Sequence, residues 1–231
     1  MKSFPELSIL SGQYKGIKLK SPGGATHPMG SREKNATLNM LAPYLEGARV
    51  IDYFAGSGAL GLEALSRGAA SVTFVENDPK AIKVIEENIA RCERGASRTG
   101  DFSPVRNHHA RADSRRNSTS FQFRTSGLRP SRVPRVERAR ECGHFSGKNL
   151  FIVRETPHFA PCDSLPFASY DLIISDPPYD DYQVPDYASL LRPGGILALS
   201  HPGNFDPASI TGLTFIKTHH YAACHISLFT K

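Results

Sequence analysis

Cysteine is scarce in this chain of 231 residues. Its four cysteines stand at 92, 142, 162 and 224 without a C-x-x-C pair, which excludes a disulfide framework and the usual zinc spacings. Cys142 and His144 lie two apart, and His108-His109 and His219-His220 form pairs. Adjacent residues rarely face one ion and a third ligand is missing, so no metal is expected. Long apolar runs are lacking too: nothing nears the roughly 18 residues that a membrane span needs. The first twelve residues meet Pro5 and Glu6 where a signal peptide requires an unbroken apolar core. A cytoplasmic address without a membrane partner is therefore the expectation. With 39% hydrophobic and 22% charged residues, the chain can bury a core without covalent staples.

Lysine is absent from one long stretch. Residues 94–143 hold 12 of the 18 arginines, no lysine, and only Asp101, Asp113, Glu137 and Glu141 as acids. That stretch carries +8 and the remainder −2. Serine, proline and glycine are frequent there, and no period of 3.6 or 2.0 persists. Residues 94–148 therefore read as a disordered insertion or long loop. One use for it is an arginine-rich arm that neutralises RNA phosphates. The competing readings are a solvated linker, or out-of-frame translation between flanks that stay in frame.

The flanks punctuate clearly. Residues 7–10 and 14–19, separated at Gly12, suggest a short hairpin carrying Lys15, Lys18 and Lys20. Ser31 is a plausible N-cap for a helix ending near Pro43. An apolar strand over 49–54 leads through a glycine-rich turn into a helix over 60–67, and a second strand covers 71–75. Asp78 and Pro79 then open a helix whose stripe is Ala81, Ile82, Ile85 and Ile89. Strand, helix, strand, helix implies a parallel α/β layer. Beyond the arginine-rich stretch, a strand over 170–175, a short helix over 187–191, a strand over 196–200 and an antiparallel pair near 213–217 and 223–229 complete a sheet of six or seven strands.

Two motifs carry chemistry. Gly56-Ser57-Gly58-Ala59-Leu60-Gly61 fits G-x-G-x-x-G, and Glu76 ends the next strand, 20 residues after Gly56. Glycines let a ligand approach the turn, and a carboxylate at that strand end can accept both hydroxyl protons of a ribose. This fixes a nucleoside site and leaves the cofactor open. Asp176-Pro177-Pro178-Tyr179 narrows it. Two prolines remove two N–H donors, leaving carbonyls, one carboxylate and an aromatic face, which suits a planar amine. The carboxylate or the Pro177 carbonyl can accept from an exocyclic NH2 while Tyr179 stacks on the base.

Residues 52–69, the turn 176–179, the opening 11–19 and Leu190-Leu191-Arg192-Pro193-Gly194-Gly195 closely resemble the RsmD family, bacterial 16S rRNA guanine-N2 methyltransferases. The resemblance covers about residues 7–92 and 163–229. It implies a Rossmann-like class I S-adenosylmethionine-dependent methyltransferase with a mostly parallel seven-stranded sheet and an antiparallel C-terminal hairpin. Residues 1–44 would be an RNA-facing hairpin-helix appendage, and residues 45–231 the catalytic domain with the insertion at 94–148. Carried over by residue, Asp52 and the loop Phe54, Ala55, Gly56, Ser57 and Gly58 would border the methionine moiety, and Glu76 would bind the ribose. Asp163 would contact the adenine. Asp176, Pro177, Pro178 and Tyr179 would be catalytic, with Lys15, Lys18 and Arg32 on the RNA. The implied partner is 16S rRNA or a small-subunit assembly intermediate, met by a monomer. The chain departs from the family at His27, typically Arg, and at Ser31-Arg32, typically Asp-Arg, so that only Arg32 carries over. It departs again at the third strand, where Pro157 and Pro161 sit at the place of a central strand. Asp-Pro-Pro-Tyr is shared with adenine-N6 methyltransferases of DNA or RNA, one alternative; a catalytically inactive RNA-binding protein is another.

Overall fold

The computed structural model of the chain describes residues 7–23, 30–99, 149–154, 168–179, 184–221 and 224–231. Its elements are β1 (Leu7–Ser8), β2 (Lys18–Leu19), α1 (Ser31–Met40), β3 (Arg49–Tyr53), α2 (Ala59–Ser66), β4 (Ser71–Glu76), α3 (Pro79–Thr99), β5 (Asn149–Arg154), β6 (Tyr170–Ser175), α4 (Tyr187–Leu190), β7 (Leu191–His201), β8 (Thr214–His220) and β9 (His225–Thr230). β1 and β2 form a small antiparallel ladder, and the others form one sheet ordered β5-β4-β3-β6-β7-β9-β8. The first five of these run parallel, and β9 and β8 close the edge antiparallel. This is the Rossmann-like arrangement. From β3 the chain winds outward to β5, then returns to place β6 on the other side of β3. Such a reversal opens a crevice at the carboxyl ends of the two central strands.

Several elements differ from the sequence expectation. The regular ladder of the hairpin covers only two residues on each side, Leu7 with Leu19 and Ser8 with Lys18; beyond it Ile9 still bonds Ile17 and Gly16, while Leu10, Ser11, Gln13 and Tyr14 bind α2 instead. Gly30, not Ser31, is the N-cap of α1, and its carbonyl accepts from the Lys34 N–H at 2.9 Å. α3 continues to Thr99, so residues 94–99 of the arginine-rich stretch are helical; residues 100–148 lie outside the described residues. The third strand of the parallel set is β5, upstream of both Pro157 and Pro161 and at the sheet edge rather than its centre. No described helix is long and apolar enough to cross a membrane, and no group of three or more possible metal ligands occurs among the described residues.

Period-two alternation divides the core into two layers. Val50, Leu172, Ile174, Ile196 and Ala198 face the layer that holds α1, α2 and α3, while Ile51, Tyr53, Ile173, Leu197 and Leu199 face the other. Both faces are covered, which is why these strands read as continuous apolar runs. Leu7, Ile9, Tyr14, Leu19, Leu38 and Leu41 belong to the first layer, so the hairpin and α1 share the core of the sheet.

Glu63 joins these parts. It is fully buried, and its carboxylate accepts from the Leu10 and Ser11 N–H groups at 2.8 and 2.9 Å. Lys34 of α1 lies 3.7 Å away and Arg67 3.1 Å away. Below it, the Ser66 hydroxyl donates to the Ser11 carbonyl at 2.5 Å and accepts from the Tyr14 N–H at 2.9 Å. The turn holding Gly12 (φ +79°) sits so close that a Cβ there would fall 1.8 Å from the Ser66 carbonyl oxygen. Only glycine meets both demands.

Candidate active site

The two motifs read from distant parts of the chain meet at the crevice. Tyr53 pairs with Ser175 at the ends of β3 and β6, and the Asp176 N–H reaches the Tyr53 carbonyl at 3.4 Å. The glycine loop and the Asp-Pro-Pro-Tyr turn therefore leave adjacent strand ends. Phe54 takes φ +63°, a left-handed conformation that costs a non-glycine residue of order 1 kcal/mol and that clusters at functional sites. Gly56 (φ +54°) and Gly58 (φ +73°) complete the turn, closed by the Gly58 N–H to the Ala55 carbonyl at 2.7 Å. A Cβ on Gly56 would meet nothing within 4 Å, so the loop faces open space there. A Cβ on Gly61 would lie 2.5 Å from Phe74 and 2.8 Å from Val72, so the third glycine serves helix-to-sheet packing.

Three carboxyl groups shape this crevice. Asp52, 1% exposed, sits beneath the loop, where its Oδ2 accepts from the Gly61 N–H at 2.8 Å. Gly58 cannot cap α2 with a side chain, so Asp52 does so from the strand. Burial pushes the Asp52 carboxyl well above the ordinary carboxylate range; the Gly61 bond opposes the shift, and Asp176 and Glu76 add to it. Glu76 ends β4 and accepts from the Gly56 N–H at 2.6 Å on one oxygen, and from Asn77 and Asp78 at 2.8 and 3.0 Å on the other. It thus ties the glycine loop to the turn after β4. Among the described residues Oε2 accepts only the Gly56 bond, which leaves a lone pair for an incoming hydroxyl.

The Asp-Pro-Pro-Tyr turn presents its groups unequally. Pro177 is buried, Pro178 exposed and Asp176 partly exposed. Tyr179 is 39% exposed, so its ring offers a face, while its hydroxyl meets the Ser200 Oγ at 2.5 Å. Burial raises the Asp176 carboxyl above its ordinary value, countered by a hydrogen bond from Ser200. Burial likewise pushes the Tyr179 phenol far up, keeping it protonated. Ser200 has a legible signal in hindsight, being polar at the end of an otherwise apolar strand.

The RNA-facing candidates scatter. Lys15 lies in the turn anchored on Ser66, at the far end of α2 from the glycine loop and about 12 Å along that helix. The structure does not bring it to the crevice, because docking of that turn on Ser66 fixes it at the other end of α2. Lys18 is exposed on β2, whose carbonyl at that residue accepts from Arg91 at 3.1 Å. Arg32 is exposed on the first turn of α1. Asp163 lies outside the described residues. A shallow cleft lined by Tyr44, Glu46, Asp171 and Arg192 opens at the amino ends of the strands, where Arg192 is already paired with Asp171.

Sequence reasoning passed over Asn88. Fully buried on α3, it donates to the Lys20 and Ser57 carbonyls at 3.0 and 2.9 Å and accepts from the Lys20 N–H at 2.8 Å. It stitches the appendage to the glycine loop, and its signal was a polar residue on the apolar stripe. Asn88→Ala should cost about 1–3 kcal/mol, measured as the denaturant midpoint, because three backbone groups lose their partner. A change below a few tenths would show that water replaces the amide.

The family model for conserved hypothetical protein 95 matches residues 7–124. YlbH of Bacillus subtilis (strain 168) is 43% identical over 88 residues, 38% of this chain and 48% of that protein. Ribosomal RNA small subunit methyltransferase D of Escherichia coli (strain K12) is 40% identical over 94 residues, 40% of this chain and 48% of that protein. The chain spans about half the length of the curated relatives it matches. The solved structure of Escherichia coli yhhF shares the fold, with a TM-score of 0.62 at 20% identity over 98% of both chains.

Proposed function

We propose, since this chain belongs to the RsmD family, that of conserved hypothetical protein 95, that it methylates the exocyclic N2 amine of a guanine in small-subunit ribosomal RNA using S-adenosylmethionine. One observation carries the reading: the glycine loop and the amine-accepting turn emerge side by side at the sheet's point of reversal. The relative named ribosomal RNA small subunit methyltransferase D supports the RNA class. We take the substrate to be 16S rRNA or an assembly intermediate, met by a monomer in the cytoplasm.

The residues fit the cofactor. Open space over Gly56 admits a ligand against the backbone, and the spare lone pair of Glu76 suits a ribose hydroxyl. The cofactor supplies an electrophilic methyl group on a sulfonium. Asp52 and Glu76 hold the loop in shape, and the loop residues Phe54 to Gly58 would border the donor. On the acceptor side, guanine N2 is a poor nucleophile because its lone pair is delocalised into the ring. Asp176 and the Pro177 carbonyl accept its two hydrogens, which turns the lone pair toward the donor and stabilises positive charge as it develops. Asp176 then takes the departing amine proton, a task its burial favours by making it a stronger base than an exposed carboxylate. The Tyr179 ring supplies the stacking face.

Incubating the protein with unmethylated 16S rRNA and methyl-labelled donor, followed by nucleoside mass spectrometry, should yield labelled N2-methylguanosine. N6-methyladenosine would instead assign the same turn to adenine. Tight, steeply salt-dependent RNA binding without any labelled nucleoside would make this an inactive RNA binder.

A further inference from the structure

We propose that Ser200 is a positioning residue of this site, whose hydroxyl holds the Asp176 carboxylate and the Tyr179 phenol together so that acceptor group and stacking face are presented as one unit. The inference rests on the reading of the Asp-Pro-Pro-Tyr turn as the cradle of the methyl acceptor.

Ser200 is 1% exposed, next to last in β7, and paired with Ile226 of β9. Leu199 pairs with Ser175, so Ser200 stands beside Asp176 where the two strands end. By parity it shares the face of Ile196 and Ala198, the layer that also contains Cys224. The Tyr179 hydroxyl meets its Oγ at 2.5 Å, and Asp176, at the adjoining strand end, lies close enough for the same hydroxyl to oppose the rise that burial gives its carboxyl. An ionised carboxylate only accepts, so the Ser200 O–H donates to Asp176 and the phenol O–H donates to the Ser200 Oγ. The direction of the chain is set by the acid. The Cys224 thiol, a weak donor and acceptor, lies close enough to Ser200 and Tyr179 for each to influence its titration.

This arrangement supplies what the turn lacks. Two prolines fix φ at 177 and 178, but they leave the side-chain torsions of Tyr179, 39% exposed, to be set by its partners. Tethering the phenol to a fully buried strand residue fixes the ring relative to the carboxylate. A shift of about 1 Å in such a pair costs on the order of a hundredfold in rate.

The test combines kinetics with a titration that needs no activity. Protein carrying 13C-labelled aspartate carboxyls is titrated by NMR, with Asp176→Asn assigning the resonance. In Ser200→Ala the Asp176 midpoint should rise, because the carboxylate loses a donor, kcat should fall about 10- to 100-fold, and KM for the methyl donor should stay within twofold. Ser200→Thr, which keeps the hydroxyl, should restore both. An unchanged Asp176 midpoint in Ser200→Ala overturns the inference, as does a raised midpoint with normal kcat. If the midpoint rises but the wild-type protein methylates no RNA, the Ser200 contact stands and the functional reading of the turn falls.

Discussion

Asp176→Ala should lower methyl transfer by about a thousandfold, or ~4 kcal/mol in the barrier, while donor binding measured by calorimetry stays near that of the unaltered protein. The carboxylate serves twice in the proposed mechanism, holding the amine and taking its proton, and the other two carboxylates described at the crevice are engaged elsewhere. Asp52 is beneath the loop and Glu76 is engaged by three backbone N–H groups. Asp176→Asn separates the two duties, because the amide oxygen can still accept from the amine but cannot serve as a base. Because burial raises the Asp176 carboxyl, the acidic limb of the pH–rate profile should lie above the ordinary carboxylate range. Activity then falls as pH drops through that raised value, where the group becomes protonated. Single-turnover assays with labelled donor provide the readout. Near-normal turnover by Asp176→Ala would remove the turn from the chemistry.

The largest effect on stability is expected at Glu63, far from that chemistry. Glu63→Ala should cost about 3–5 kcal/mol, because it strands Lys34, 2% exposed, and removes the acceptor of the Leu10 and Ser11 N–H groups. Burial already lowers the Lys34 pKa, and attraction to Glu63 is the chief force opposing that shift. Without Glu63 the folded value drops further below the unfolded one. Between the two values the unfolded chain binds more protons, so the variant should gain stability as pH rises, over a wider span than the wild type. Adding Lys34→Met should recover much of the loss, since removing both charges costs less than stranding one. Equilibrium unfolding in urea across pH measures all three proteins. A loss under ~1 kcal/mol for Glu63→Ala would mean that solvent reaches the lysine.

The elements legible in the sequence are those set by near neighbours. The strand over 170–175 and the start of a helix at Pro79 coincide with β6 and α3. Gly56, Gly58 and Gly61 fit their motif, although Gly61 proves to serve packing rather than ligand approach. The hairpin was harder to read. Residues 9–17 carry apolar and glycine signals that suit a longer ladder, yet the backbone around Gly12 bonds to Ser66 and Glu63 instead. That choice depends on partners about 50 residues away, beyond any local window. The same docking carries Lys15 away from the crevice.

Residue order alone determined that this is an α/β protein with a nucleoside-type glycine loop, an acid ending the second strand of the layer, and an acceptor-rich turn after a later strand. Periodicity, proline and glycine encode those features within a few residues of where they act. Tertiary structure alone decided that β6 lies against β3, which makes one crevice of two distant motifs. It also decided that Ser200, Asn88 and Glu63 are the side chains holding that crevice and its appendage in place. Strand order and side-chain burial come from long-range pairing, where each contact is chosen against every alternative neighbour, and no single stretch of chain contains that comparison.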